Sequence, residues 1–270
     1  MNPDINTGAN AFSGLPEDAL PSPAELFDMT GKVVLITGGS RGMGRAMSLA
    51  FAKAGADVIV ASRKIEPCEE VAELIRAMGR RALPVACHVG KWVDIDRLIE
   101  TAFAEFGKVD VLINNAGMSP ASPSSAQVGE ALFDKVVDVN FKGPFRLTAL
   151  IAARMAQAGG GSIINISSLS AIRPQPAVSP YAGAKAALNA ASVGIAMEYA
   201  ARGVRVNVIA PGAFATDISR GWSDPEAVRM RAALERVGDP REIVTAALYY
   251  ASDYSGFTTG ANLRVDGGRL

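Results

Sequence analysis

Tyr181 and Lys185 are the residues of this chain whose types and spacing point most directly to proton transfer. They stand four residues apart in a segment of helical pattern, so both side chains share one helix face. On that face the ammonium favours the phenolate form of its neighbour. A tyrosine pKa of about 10 must fall by a few units before the group exchanges protons readily near neutrality. Ser179-Pro180, directly ahead, reads as an N-cap followed by proline at the first helical position, which puts Tyr181 in the first turn. A second cluster lies far upstream, Thr37-Gly38-Gly39-Ser40-Arg41-Gly42-Met43-Gly44. Its glycines allow a tight turn and close approach to a ligand, and the helix that follows offers amides and a positive dipole end to a pyrophosphate. His88 is the single histidine, so no second imidazole exists for a metal site, and a Ser-His-Asp hydrolase would have to use His88 itself.

These groups need a scaffold that gathers distant segments. From residue 32 onward, short runs rich in Val and Ile alternate with longer Ala-rich segments of helical period. Strands are predicted over 32–37, 57–62, 82–88, 109–114, 161–167, 204–210 and 262–266. Helices are predicted over 43–54, 67–78, 93–106, 130–158, 180–201 and 239–252. Repeated βαβ units of this kind specify the α/β class, here a single doubly wound Rossmann-type domain with a seven-stranded parallel sheet. Ligands of such sheets bind beyond the carboxyl edges of the strands, at the topological switch point.

Composition sets the limits. Lys and Arg number 27 and Asp and Glu 27, so no net field draws the chain to nucleic acid or to an anionic membrane. The Pro-, Gly- and Asn-rich stretch over residues 1–25 reads as a flexible tail ahead of a dinucleotide-binding catalytic domain at 26–270. That tail has no basic residue before Lys32 and no apolar leader. Cys68 and Cys87 read as two reduced thiols, and a cytoplasmic location is expected.

Asn114-Asn115-Ala116-Gly117 closes the predicted fourth strand and Tyr181-x-x-x-Lys185 opens a helix after the fifth. With the glycine turn, Asn140, Ser168, Pro211-Gly212 and Val265-Asp266-Gly267-Gly268, this ordered set resembles the short-chain dehydrogenase/reductase family over about residues 26–268. The resemblance implies that Tyr181 gives a proton to a carbonyl oxygen in reduction, or takes it in alcohol oxidation, while hydride passes at a nicotinamide. Ser168 would hydrogen-bond the substrate oxygen, Asn140 would hold a water in a relay toward Lys185, and Lys185 would grip the nicotinamide ribose. Cofactor contacts are implied at Gly38, Ser40, Arg41, Gly42, Met43 and Gly44, and at Ser62, Arg63, His88 and Val89. Further contacts are implied at Asn115, Ala116, Gly117, Tyr181, Lys185, Pro211, Gly212, Phe214 and Thr216. His88 departs from the family, which often carries Asp there to bind the adenine amino group. Cys87-His88-Val89-Gly90 together with Ser62-Arg63-Lys64 looks like a carbonyl-reductase branch.

NADP(H) is expected in preference to NAD(H). An NAD enzyme of this architecture ends its second strand with Asp or Glu, whereas here Ser62 and Arg63 stand there, with Arg41 in the glycine turn. Three segments, Met118–Ser125, Leu169–Ser179 and Ala213–Asp224, should frame the substrate. They carry Met118, Leu169, Ile172, Phe214 and Trp222 beside Arg173 and Arg220, and suit a medium-sized carbonyl or secondary alcohol. A ketone reductase, a 3-oxoacyl-thioester reductase and a sugar or polyol dehydrogenase all fit, and a catalytically inert NAD(P)-binding sensor or scaffold is the alternative from another class. The Ala- and Gly-rich helix 180–201 lacks a polar face, so a homotetramer is expected.

Overall fold

Every residue of β1 (Val33–Thr37) is buried, the state of a strand at the centre of a sheet covered on both faces. The computed structural model describes residues 20–217 and 224–269. Around β1 the chain lays down β2 (Asp57–Ser62), β3 (Ala82–Ala86), β4 (Val111–Asn114), β5 (Gly161–Ile166), β6 (Val204–Pro211) and β7 (Asn262–Val265). They form one seven-stranded sheet in the order β3-β2-β1-β4-β5-β6-β7, all neighbours parallel. The order reverses between β1 and β4, whose last paired residues are Thr37 and Asn114. A crevice therefore opens beyond those two residues.

Alternation along the strands divides the core in two. On one face Val34, Ile36, Val58, Val60, Ile164 and Ile209 meet α2 (Gly42–Lys53), α3 (Glu66–Ala77) and α9 (Val244–Ala251). On the other face Leu35, Ile59, Leu112, Ile163 and Val206 meet α4 (Trp92–Phe106), α6 (Gly143–Gln157) and α7 (Ser179–Tyr199). Pro84 lies in β3 at the sheet edge, where a missing amide is tolerated.

Several expected boundaries move for local reasons. The predicted helix 130–158 is α5 (Glu130–Val137), a π-helical turn at Asp138–Lys142, and α6. Pro144 lies inside that stretch; it lacks an amide and its ring crowds the carbonyl four residues back, so a regular α-helix cannot pass. The predicted helix 239–252 opens as a 3-10 turn at Pro240–Ile243 before α9. Two short helices were not expected. α1 (Pro23–Leu26) is closed by a capping box of Ser22 and Glu25, and α8 (Pro225–Arg229) by Asp224, whose carboxylate accepts from the Ala227 amide at 2.9 Å. α1 stands at the end of the stretch read as a tail, and residues 1–19 lie outside the described residues. Ser179 does not cap α7. Val178 is the N-cap residue and no side chain caps that end, yet Tyr181 stays in the first turn.

Candidate active site

The glycine turn leaves β1 at Thr37 and enters α2 at Gly42. Gly38 and Gly42 hold φ of 63° and 52°, the left-handed region that favours glycine. Gly44 is demanded by packing rather than by dihedral, since a β-carbon there would stand 2.0 Å from the Gly38 carbonyl oxygen. Met43, also expected at the cofactor, packs against the core. The turn is braced from β4. Asn115 donates from its side-chain amide to the carbonyls of Thr37 (3.0 Å) and Gly38 (3.1 Å), and Thr37 Oγ1 accepts from the amides of Asn115 and Ala116. No side chain caps α2 and its first turn carries no acid. An N-terminus left free in this way at a switch point fits a dinucleotide pyrophosphate.

At the end of β2, Ser40 Oγ donates to Ser62 Oγ at 2.9 Å, which joins the glycine turn to the strand end where an NAD enzyme carries its acid. Arg63 is exposed beside it. Arg41 pairs with Asp217 at 3.0 Å, and a β-carbon on Gly42 would lie 3.2 Å from Thr216 Cγ2. The segment after β6 thus lies against the glycine turn. Asp57, at the start of β2, binds Arg80 and the Arg81 amide at the other edge of the sheet. The His88 amide donates to Asp94 and its Nδ1 accepts from the Gly90 amide at 3.1 Å, so the ring folds back on its own loop. Val89 is buried, and its carbonyl packs so closely on Gly143 that a β-carbon there would be 2.0 Å away.

Beyond β5 the three neighbouring serines part company. Ser167 is buried and donates to the Lys185 carbonyl at 3.4 Å, and Ser170 gives its amide to Ser168 Oγ at 3.1 Å. Ser168 is the one of the three whose hydroxyl acts on the Tyr181 hydroxyl, lowering its pKa. Burial raises the Tyr181 pKa and outweighs the Ser168 hydroxyl, so the phenol is protonated at neutral pH. Lys185, 2% exposed, does not reach for the phenol; its Nζ donates to the Ile166 carbonyl at 2.7 Å. Burial brings the Lys185 pKa down to about 8.

Asn140 sits in the π-helical turn, fully buried, its amide donating to the carbonyls of Met118 and Val136, both at 2.9 Å. Its Oδ1 accepts from the Met118 amide at 3.2 Å. The wide turn is what aims this side chain across to the loop following β4. A β-carbon on Gly117 would stand 3.1 Å from Asn140 Oδ1 and 3.8 Å from Lys185 Nζ, so Gly117 is the gap through which these two groups approach.

The expected substrate segments are only partly solvent-facing. Ile172 and Arg173 are exposed, but Leu169 is buried and Phe214, expected at the cofactor, is 6% exposed with its ring against Gly238. Pro211 pairs with Val265, and Gly212 is held so near Asp266 that a β-carbon would lie 2.8 Å from its Cα. Arg220 and Trp222 lie outside the described residues. Two features went unread in the sequence. Asp217 meets Arg41 across 176 residues of chain, and Ala177 has φ of 69° where its carbonyl accepts from the buried Ser122, bonds that carry no local pattern.

Residues 32–227 match the family described as short chain dehydrogenase. The chain is 37% identical over 243 residues to dehydrogenase/reductase SDR family member 4 of Bos taurus, covering 88% of this chain and 87% of that protein. It is 40% identical over 250 residues to 3beta-hydroxysteroid dehydrogenase 1 of Eggerthella lenta, covering 89% and 94%. Among solved structures it resembles 3-ketoacyl-(acyl-carrier-protein) reductase from Brucella melitensis complexed with NADH, with a TM-score of 0.84, 33% identity, and 89% and 99% of the two chains covered. The glycine turn, the braced crevice and the Ser168, Tyr181 and Lys185 cluster thus stand in a chain that belongs to the short-chain dehydrogenase/reductase family, NAD(P)(H)-binding oxidoreductases that act on CH–OH and C=O groups.

Proposed function

We propose that this enzyme uses NADP(H) in preference to NAD(H) to interconvert a carbonyl compound and a secondary alcohol, with Tyr181 as general acid/base. The observation that carries the reading is the nearness of the Ser168 and Tyr181 hydroxyls beyond β5, close enough for Ser168 to lower the Tyr181 pKa, because one substrate oxygen can meet both there. Hydride is supplied or accepted by the nicotinamide when the cofactor is bound. In carbonyl reduction the Tyr181 phenol gives its proton to the developing alkoxide and Ser168 Oγ holds that oxygen. The buried Lys185 ammonium stabilises the resulting phenolate, and Asn140 supports the water relay by which the proton is replaced. Alcohol oxidation reverses each step.

The preference for NADP(H) follows from charge. Ser62 leaves no carboxylate at the end of β2 to repel a 2′-phosphate, and Arg41 and Arg63 flank the position. Charge-assisted bonds from two partly exposed arginines favour the phosphate by about 10²-fold. We further infer a homotetramer. α7 exposes Val193 and Met197 along an Ala- and Gly-rich surface, and an apolar groove between α5 and α7 is lined by Phe133, Val137, Phe141 and Pro180.

The test is a fluorescence assay of NADPH and NADH turnover with simple ketones, a 3-oxoacyl thioester and, in reverse, polyols. NADPH turnover with a kcat/KM at least tenfold above that for NADH, inverted by Ser62→Asp, supports the reading. Tight cofactor binding with no turnover of any member would favour the inert sensor.

A further inference from the structure

Asp217 occupies a position that the proposed chemistry does not explain. Its carboxylate pairs with Arg41 at 3.0 Å, the two side chains 38% and 62% exposed. Arg41 is next in chain to Ser40, whose hydroxyl bonds Ser62 at the end of β2, and on the NADP(H) reading it is one of the two arginines that would hold the 2′-phosphate. Asp217 belongs to the other side of the cleft. It follows β6 and Thr216, whose side chain rests against Gly42. One arginine therefore faces two anionic groups, a fixed carboxylate of the protein and the phosphate of the ligand.

Resting on the NADP(H) reading, we propose that Asp217 is a specificity-determining residue that competes with the 2′-phosphate for Arg41 and so moderates the preference for NADP(H). The carboxylate occupies the guanidinium in the absence of ligand, an exposed pair worth roughly a two- to fivefold factor. NADH lacks that phosphate and makes no claim on Arg41. The effect of Asp217 must then fall on NADPH alone and must run through Arg41.

The experiment is a double-mutant cycle on the full chain, read as the Kd of NADPH and of NADH by nicotinamide fluorescence. The variants are Asp217→Asn, Arg41→Ala and the two combined. Asp217→Asn is expected to tighten NADPH about two- to fivefold, to leave NADH unchanged, and to do nothing to NADPH once Arg41 is alanine. The gain should shrink as salt is raised. NADPH binding that is unchanged or weaker in Asp217→Asn, an equal shift for both cofactors, or a gain that persists without Arg41 would each overturn the proposal. If the unmodified protein binds NADH more tightly than NADPH, the NADP(H) reading fails by itself, and the role of Asp217 is still decided by the NADPH column of the cycle.

Discussion

Asn115 holds the glycine turn in place, its side-chain amide donating at 3.0 Å to the Thr37 carbonyl and at 3.1 Å to the Gly38 carbonyl. The end of β4 therefore sets the shape of the loop after β1, across the switch point of the sheet. Asn115→Ala removes both donors and leaves two carbonyls to solvent or to each other. We expect NADPH and NADH affinity to fall together by about tenfold, and stability by about 1–3 kcal/mol. Fluorescence titration and thermal unfolding check this. Loss confined to one cofactor would show that Asn115 acts on the adenosine end and not on the turn.

Lys185 is a buried ammonium with one carbonyl partner, Ile166, and its pKa is lowered to about 8. Carbonyl reduction is expected to slow as pH rises through about 8, where the charge proposed to stabilise the phenolate is lost. The folded chain holds this proton less tightly than the unfolded chain does, so stability rises with pH between about 8 and the ordinary 10.5. Lys185→Met removes a desolvation cost of about 3 kcal/mol and a hydrogen bond worth about 1 kcal/mol. A variant at least 10²-fold slower, with a Tm at neutral pH equal to or a few degrees above the parent, is the expected outcome. A Tm several degrees lower would show that the bond to Ile166 dominates.

The sheet was legible because its central strands are carried by Val- and Ile-rich runs that must be buried on both faces. Tyr181, Lys185 and the glycine turn were legible because each is a local pattern at a strand end. What could not be read is what depends on contacts distant in sequence. The Ser40–Ser62 bond, the Arg41–Asp217 pair and the inward burial of Phe214 have no periodic signature. The π-helical turn that aims Asn140 was readable in principle, because Pro144 forbids the uniform helix that apolar periodicity suggests.

A polar seam runs through the core beneath the site. Asn165 accepts from the Asn114 amide at 2.8 Å and from Thr148 at 3.3 Å, and donates to Ser192 at 2.8 Å, which links β4, β5, α6 and α7. Asn165→Leu keeps the volume and strands those partners without water. Destabilisation of about 2–4 kcal/mol, a Tm drop of roughly 5–12 °C, is expected by calorimetry. A drop below about 2 °C would mean that the partners repair their bonds among themselves.

In the proposed reaction the Tyr181 hydroxyl, beside Ser168, carries the proton. The most direct measurement is kcat of Tyr181→Phe with NADPH and any carbonyl substrate that the parent turns over, beside the Kd of NADPH for the same variant. The expected result is a fall in kcat of at least 10³-fold, about 4 kcal/mol of barrier, with cofactor affinity within threefold of the parent. A variant that retains a tenth or more of the parent rate would contradict it.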